Sequence, residues 1–236
     1  MPQWMPEWIS YYAGLIAKGL QTTLSLLVIS AVLGFALAVL VALARLSRRK
    51  WLARSALAYT SVLRGTPLLI QIYIFYYGLG SLFAQFPMIR SSFLWPYLRD
   101  GYWYIVFALV LSVGAYVGEV IRGGLLAVPK GEMEAASAFG MTPRQALLRV
   151  RLPRAMRLLL PTLAGETVML LKSTALASTI AVVDLLGAAN VVRAQTLQIY
   201  QPLLLVAGVY LCLTFLIEGV YAIAERRGTP LRRSAG

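Results

Sequence analysis

Four ionisable residues, Arg64, Glu119, Glu166 and Lys172, stand inside long apolar runs of the chain. A charge at bilayer mid-depth costs about 2.5–3.5 kcal/mol on insertion scales, so the faces that carry these groups should look at protein or water. Their neighbours are patterned. Ser112, Tyr116, Glu119 and Gly123 recur at spacings of four, three and four, and Thr162, Glu166 and Ser173 at four and seven, with Lys172 beside them. Each set makes a polar stripe along one side of an apolar helix, and the two stripes turn acids toward a common interior. Arg64 and Gln71, seven apart, should also share a face. Three kinds of chemistry fit. Glu119 and Glu166 could be the acid and base of a membrane-embedded enzyme. They could line a pathway for a charged solute, or pair with Arg122, Arg157 or Lys172 simply to hold helices together. For Arg64 the alternative is a side chain that snorkels to phosphate at the cytoplasmic surface.

Other chemistry is excluded by residue type. The chain has no histidine, and its one cysteine, Cys212, sits in an apolar run as a small buried hydrophobe, so cysteine metal sites and internal disulfides are ruled out. No phosphate-binding loop is present: the only Lys-Ser/Thr pair is Lys172-Ser173, preceded by Leu171. Asp100 and Asp184 fall at outer ends of apolar segments and cannot form a catalytic aspartate pair. No catalytic residue, metal site or bound cofactor is expected on this chain.

Positioning these residues requires helices built for lipid, since 59% of the residues are hydrophobic and only 13% charged. Five segments reach the roughly 20 residues that a spanning helix needs: 22–44, 56–83, 102–122, 156–178 and 202–224. An all-α integral membrane protein with one transmembrane domain follows. Pro67 should kink or break the second segment, because it removes a backbone donor and crowds the carbonyl of Leu63. Ser30, Gly34 and Ala38 form a small-residue stripe suited to close helix packing. Tyr73, Phe75, Tyr76 and Tyr77 read as interface anchors, and Glu218 as a structural partner for a loop arginine. Pro2, Pro6 and Glu7 precede any basic residue, unlike the start of a cleaved signal peptide, and no internal repeat is evident.

Sixteen of the 22 basic residues fall on one side of the spans: Arg45, Arg48, Arg49, Lys50 and Arg54, seven between Arg122 and Arg157, and Arg226, Arg227, Arg232 and Arg233. That side is cytoplasmic by the positive-inside rule, which puts the N-terminus outside and the C-terminus inside. Trp4, Trp8, Tyr11 and Tyr12, with Trp95, Tyr97, Tyr102, Trp103 and Tyr104, make aromatic clusters at the outer interface. The net charge of +13 therefore reflects topology, and no nucleic acid partner is needed.

Between the third and fourth spans lies a segment too polar to cross, Gly131 to Pro153. Glu132 and Glu134 suit the positive end of a helix that runs through Ala135 and Ala136 and breaks at Gly140. Thr142 should cap a second helix, with Pro143 at its first position, and the leucine-rich turn should stop before Pro153. Two short helices around a glycine turn look like a part that another protein grips.

That segment resembles a known motif. Glu134-Ala135-Ala136, three residues to Gly140, nine more to Val150 and then Leu152-Pro153 is similar to the EAA loop of permease subunits of bacterial ABC uptake systems, with valine where isoleucine is usual. Arg64-Gly65-Thr66-Pro67-Leu68 with Gln71, and Leu171-Lys172-Ser173-Thr174-Ala175-Leu176, resemble the polar amino acid permeases, and the long stretch from Ser81 to Gly101 resembles their M-type members for histidine, lysine, arginine and ornithine or for the opines octopine and nopaline. The resemblance implies a type I ABC importer permease fold of five spans in a bacterial inner membrane. It also implies a second permease subunit in a heterodimer, two cytoplasmic ATPase subunits that hold the ATP and Mg, and an external substrate-binding protein. By the resemblance, Glu132, Glu134, Ala135, Ala136, Gly140, Leu152 and Pro153 couple to the ATPase; Arg64, Gln71, Lys172, Ser173 and Thr174 of the matching motifs, with Glu119 and Glu166 of the polar stripes, are the expected substrate-pathway residues. A polar solute of another kind, such as glutamine or a dicarboxylic amino acid, stays open, as does the membrane-embedded enzyme.

Overall fold

The computed structural model describes residues 7 to 228; Pro2, Trp4, Pro6, Arg232 and Arg233 lie outside the described residues. Helices order the chain throughout. α1 runs Glu7–Arg45, well before the apolar stretch expected to open at Thr22, because the preceding residues hold no proline after Pro6 and little charge to stop it. It lies along α7 (Gly101–Ala127), the most buried long helix. At Gly34 an added Cβ would sit 2.6 Å from Val113 of α7, so only glycine permits this approach, and Ala38 beside it is fully buried.

The second apolar segment is not one helix. α2 (Lys50–Gly65) ends at Thr66, which is extended because a residue before proline avoids the helical region, and α3 (Leu68–Tyr73) starts afresh after Pro67. A π-helical stretch (Ile74–Leu79) and α4 (Gly80–Gln85) complete this arm. The break removes the expected common face of Arg64 and Gln71. Gln71 instead turns back across the corner, its Nε2 donating to the carbonyls of Leu63 at 2.8 Å and Thr66 at 3.0 Å and to Thr66 Oγ1 at 2.8 Å. Leu63 is the carbonyl that Pro67 cannot serve, so the buried amide supplies the missing donor. The aromatic run is used for packing as much as for anchoring: Phe75 meets Phe107 edge-on at 5.0 Å and Tyr76 meets Tyr104 at 5.7 Å, while Tyr77 stays exposed.

Two single-turn helices, α5 (Pro87–Arg90) and α6 (Trp95–Leu98), lead to α7, which Asp100 caps by accepting from the Tyr102 amide. After α7 come α8 (Lys130–Ala138) and α9 (Pro143–Ala146), a second π-helical stretch (Leu147–Arg151) and α10 (Leu152–Ser173), which ends in a 3-10 tail (Thr174–Ile180). α11 (Leu185–Thr196), unanticipated from the sequence, follows the Pro143–Ile180 rod after a 47° bend. It is pinned to α1 by the Leu185 amide donating to Thr23 Oγ1 at 3.0 Å. α12 (Tyr200–Gly228) lies against α10 and α11 with most of its surface open. Its Cys212 is exposed, not buried as expected. Glu218 forms no salt bridge among the described residues; Tyr221 ties α12 to α10 instead, sharing a hydrogen bond with Thr167 at 2.9 Å. Among the described residues four helices are long and apolar enough to cross a bilayer, and five if the bent pair counts as one span.

Candidate functional site: a carboxylate-lined cavity and an exposed hairpin

The two polar stripes meet different fates. On α7, Glu119 lies where α1, α2 and α7 converge. Arg45 Nε donates to its Oε1 at 2.6 Å, Arg122 Nε to its Oε2 at 2.7 Å, and Thr60 Oγ1 contributes a third contact at 3.3 Å. Both carboxylate oxygens are therefore claimed by guanidinium groups, and Glu119 does not line the cavity between α7 and α10. The sequence allowed structural pairing for Glu119, and this is it; Arg45 was the missing partner, hidden because it sits at the end of a different span.

Glu166 is different. It lines a cavity of about 240 Å³ together with Ser112, Tyr116 and Ser173 and the apolar walls of Leu68, Leu109 and Leu170. On its other side it borders a second cavity of about 360 Å³, with Val117, Thr167 and Tyr221. Residues 163, 166, 167 and 170 of α10 are spaced as one helix face, which is how a single acid reaches both spaces. Glu166 is half-buried and forms no salt bridge among the described residues. The opposite charge that acts on it is that of Arg64, from the end of α2. The Arg64 guanidinium lies 5.4 Å from the centre of the Tyr116 ring, and the Tyr116 hydroxyl donates to the Arg64 carbonyl at 3.4 Å. Carboxylate, phenol and hydroxyl groups thus line one cavity of about 240 Å³, with the Arg64 guanidinium over the Tyr116 ring beside them, a set able to hold a small zwitterion that carries an extra cation.

The other expected pathway residues do not join them. Lys172 is exposed and off this face. Thr174 is fully buried, its hydroxyl donating to the Leu171 carbonyl at 2.7 Å where the helix tightens into its 3-10 tail. Gln71 is occupied at the α2–α3 corner.

The hairpin is built by its caps. α8 closes with paired turns in which the Met141 amide donates to the Ala136 carbonyl at 3.1 Å and the Gly140 amide to Ser137 at 3.0 Å. Gly140 sits at φ +73°, a conformation that this closure demands and that glycine enters without strain. Thr142 and Gln145 then cap α9 reciprocally: the Gln145 amide donates to Thr142 Oγ1 at 3.3 Å, and the Thr142 amide to Gln145 Oε1 at 2.9 Å.

The second arm does not stop before Pro153. Helix continues through it into α10, because the π-helical stretch widens the turn just ahead. The Leu152 amide donates to Leu147, five residues back, so the ring of Pro153 enters a ladder already opened. The base of the hairpin is tied twice. Arg151 Nε donates to the Leu125 carbonyl in the last turn of α7 at 2.8 Å, and Arg154 bridges to Glu132 at 3.3 Å. Glu132 thus bonds to the first turn of α10. Ala136 is buried, whereas Glu134, Ala135, Gly140, Leu152 and Pro153 face outward. Most prominent is Phe139, 85% exposed at the bend, which sequence reasoning missed. The available signal was a large aromatic beside the turn glycine of a polar loop, where no apolar partner is in reach along the chain.

The sequence matches the family described as binding-protein-dependent transport system inner membrane component over residues 31–229. It is 40% identical over 227 residues to the octopine transport system permease protein OccM of Rhizobium radiobacter, covering 96% of this chain and 90% of that one. To the histidine/lysine/arginine/ornithine transport system permease protein HisM of Escherichia coli strain K12 it is 35% identical over 210 residues, covering 89% and 87%. The fold is similar to that in a crystal structure of an amino acid ABC transporter with histidines, with a TM-score of 0.80 at 32% identity, covering 93% of this chain and 96% of that one. An all-helical, multi-pass architecture and a family match across most of its length lead to one assignment: the chain belongs to the inner membrane components of binding-protein-dependent transport systems.

Proposed function

We propose that this chain is the permease subunit of an ATP-driven importer of polar, cationic amino acids or opines, and that Glu166 receives the cationic end of the substrate. The observation that carries the substrate class is the contrast between the two intramembrane acids: Glu119 is neutralised by two arginines, whereas Glu166 borders open space with no ion pair among the described residues. An unpaired acid facing a cavity inside a membrane protein is a binding-site candidate on energetic grounds. The names of the octopine and HisM relatives agree with it. Arg64 stands where it can attract a substrate carboxylate, with Ser173 and Tyr116 as hydrogen-bonding groups between. The pathway set narrows to these residues; Glu119, Gln71 and Thr174 hold the frame. An acid–base enzyme is disfavoured because the Glu119 oxygens are already engaged.

In this reading the N-terminus is outside and the hairpin cytoplasmic, where Glu134, Ala135 and Phe139 seat in a groove of an ATPase subunit that holds ATP and Mg. A second permease subunit completes the pathway, and an external binding protein delivers the solute. The test is uptake of labelled arginine, histidine, octopine and glutamine by the reconstituted complex, with Glu166→Gln alongside. Arginine or octopine uptake that falls at least tenfold in the variant is expected, about the 1.4 kcal/mol that one charge-assisted contact supplies. Transport of glutamine alone, or arginine uptake indifferent to Glu166, would overturn the proposal.

A further inference from the structure

At the end of the bundle that carries the hairpin, α1 gives way to α2 through a turn dense in cations. Arg48, Arg49, Lys50 and Arg54 are all exposed, and none is ion-paired among the described residues. Local acids cannot answer them, since the sequence holds no Asp or Glu between Glu7 and Asp100. The Arg45 beside them is already committed to Glu119. Among the four stands Trp51, 65% exposed.

The exposed face of α2 changes character along its axis. Its first turns carry Lys50, Trp51 and Arg54; its later turns carry Leu57, Ala58 and Val62, with Leu57 44% and Val62 60% exposed. The opposite face is the protein-facing one, where Ala56 and Thr60 are buried and Tyr59 donates to the Leu111 carbonyl of α7 at 2.6 Å. From Arg54 to Val62 the helix rises about 12 Å. A face that passes from basic and indole groups to aliphatic ones along the helix matches the passage from headgroup to hydrocarbon, with the tryptophan among the cations on the headgroup side.

We infer that Arg48, Arg49, Lys50, Trp51 and Arg54 form a binding site for the headgroup of an anionic phospholipid, whose acyl chains run along Leu57, Ala58 and Val62. Phosphate esters with net negative charge complement four unpaired cations, and the apolar continuation of the same face favours a lipid over a soluble phosphate. The inference needs the chain to span a bilayer and is independent of what it transports.

The test uses the full chain with Trp4, Trp8, Trp95 and Trp103 changed to Phe, so that Trp51 alone reports. The variant is reconstituted in phosphatidylcholine vesicles containing brominated phosphatidylglycerol or brominated phosphatidylcholine at equal mole fraction. Preferential quenching by the anionic lipid is expected, with an apparent enrichment of about fivefold or more, the contribution of a single basic residue near an anionic surface. The preference should vanish in Arg48→Gln/Arg49→Gln/Lys50→Gln/Arg54→Gln and shrink in 1 M salt, where the screening length is about 3 Å. Equal quenching by the two lipids would overturn the site. So would quenching by neither, which would assign this face to a protein partner. If the phenylalanine changes prevent folding, native mass spectrometry of the unaltered chain decides: phosphatidylglycerol retained equally by it and the four-Gln variant refutes the inference, and severalfold greater retention by the unaltered chain supports it.

Discussion

Gly140 offers a perturbation whose physical cause can be isolated. Its φ of +73° lies in the left-handed region, yet an added Cβ would meet no atom within 4 Å, so substitution introduces backbone strain without collision. Gly140→Ala should cost the turn about 1–2 kcal/mol, the penalty for a side chain in that region. Gly140→Asn should cost less, because asparagine enters the region several times more often than other residues. Both replacements remove the extra freedom that glycine has in the open chain, so their difference measures the strain alone. The Met141 amide, which closes α8 onto Ala136, is the reporter. Hydrogen exchange of the purified chain should quicken at Met141 by about 5- to 30-fold in Gly140→Ala, with a clearly smaller change in Gly140→Asn and none at α7 amides. Equal exchange in the two variants would refute the strain account and mean that the loop does not depend on this closure.

Three further outcomes follow from the same geometry. Glu119→Gln strands two guanidinium groups and should destabilise the chain by about 2–3 kcal/mol, seen as a lower unfolding temperature in detergent, whereas Glu166→Gln should leave that temperature within a degree or two. Gln71→Leu keeps the volume but removes the two N–H groups shared among three acceptors at the α2–α3 corner; a loss of about 1–3 kcal/mol is expected, and an unchanged midpoint in thermal unfolding would show that the corner holds itself. Phe139→Ala should change stability by less than about 0.5 kcal/mol because the ring is exposed, yet weaken association with the ATPase by tenfold or more, as loss of an aromatic anchor does; undiminished binding in a pull-down titration would remove Phe139 from the contact.

Local signals in the sequence were legible because their causes are local. The Thr142 cap and the Gly140 turn depend on residues within a few positions, and both form where their side-chain chemistry placed them. The break at Pro67 could be read for the same reason, but its consequence could not: the spacing of Arg64 and Gln71 has meaning only on an unbroken helix, and Gln71 went to the carbonyl the proline left bare. At Pro153 the converse held, since a π-helical turn that depends on five-residue closure admitted a proline that pattern reading takes as a stop. The fate of the two acids was beyond local reading altogether. Glu119 is settled by Arg45, 74 residues away, and Glu166 by the absence of such an ion pair among the described residues, both facts of helix placement.

The unbroken passage from α9 into α10 also fixes an angle. Residues Pro143 to Ile180 form one rod of about 55 Å at helical rise, so the bearing of the Glu166 carboxylate around the rod is set by the number of residues between it and the hairpin. Each residue turns an α-helix by about 100°, and the π-helical stretch fits one more residue into its turn than regular helix would. Removing a single residue from Leu147–Arg151 would return that turn to regular helix and leave the bearing nearly unchanged, whereas removing one from the regular helix between it and Glu166 would swing cavity against hairpin by about 100°. The widened turn before Leu152 thus takes up one extra residue without turning hairpin against cavity, and the count of residues in the regular helix beyond it sets their relative bearing.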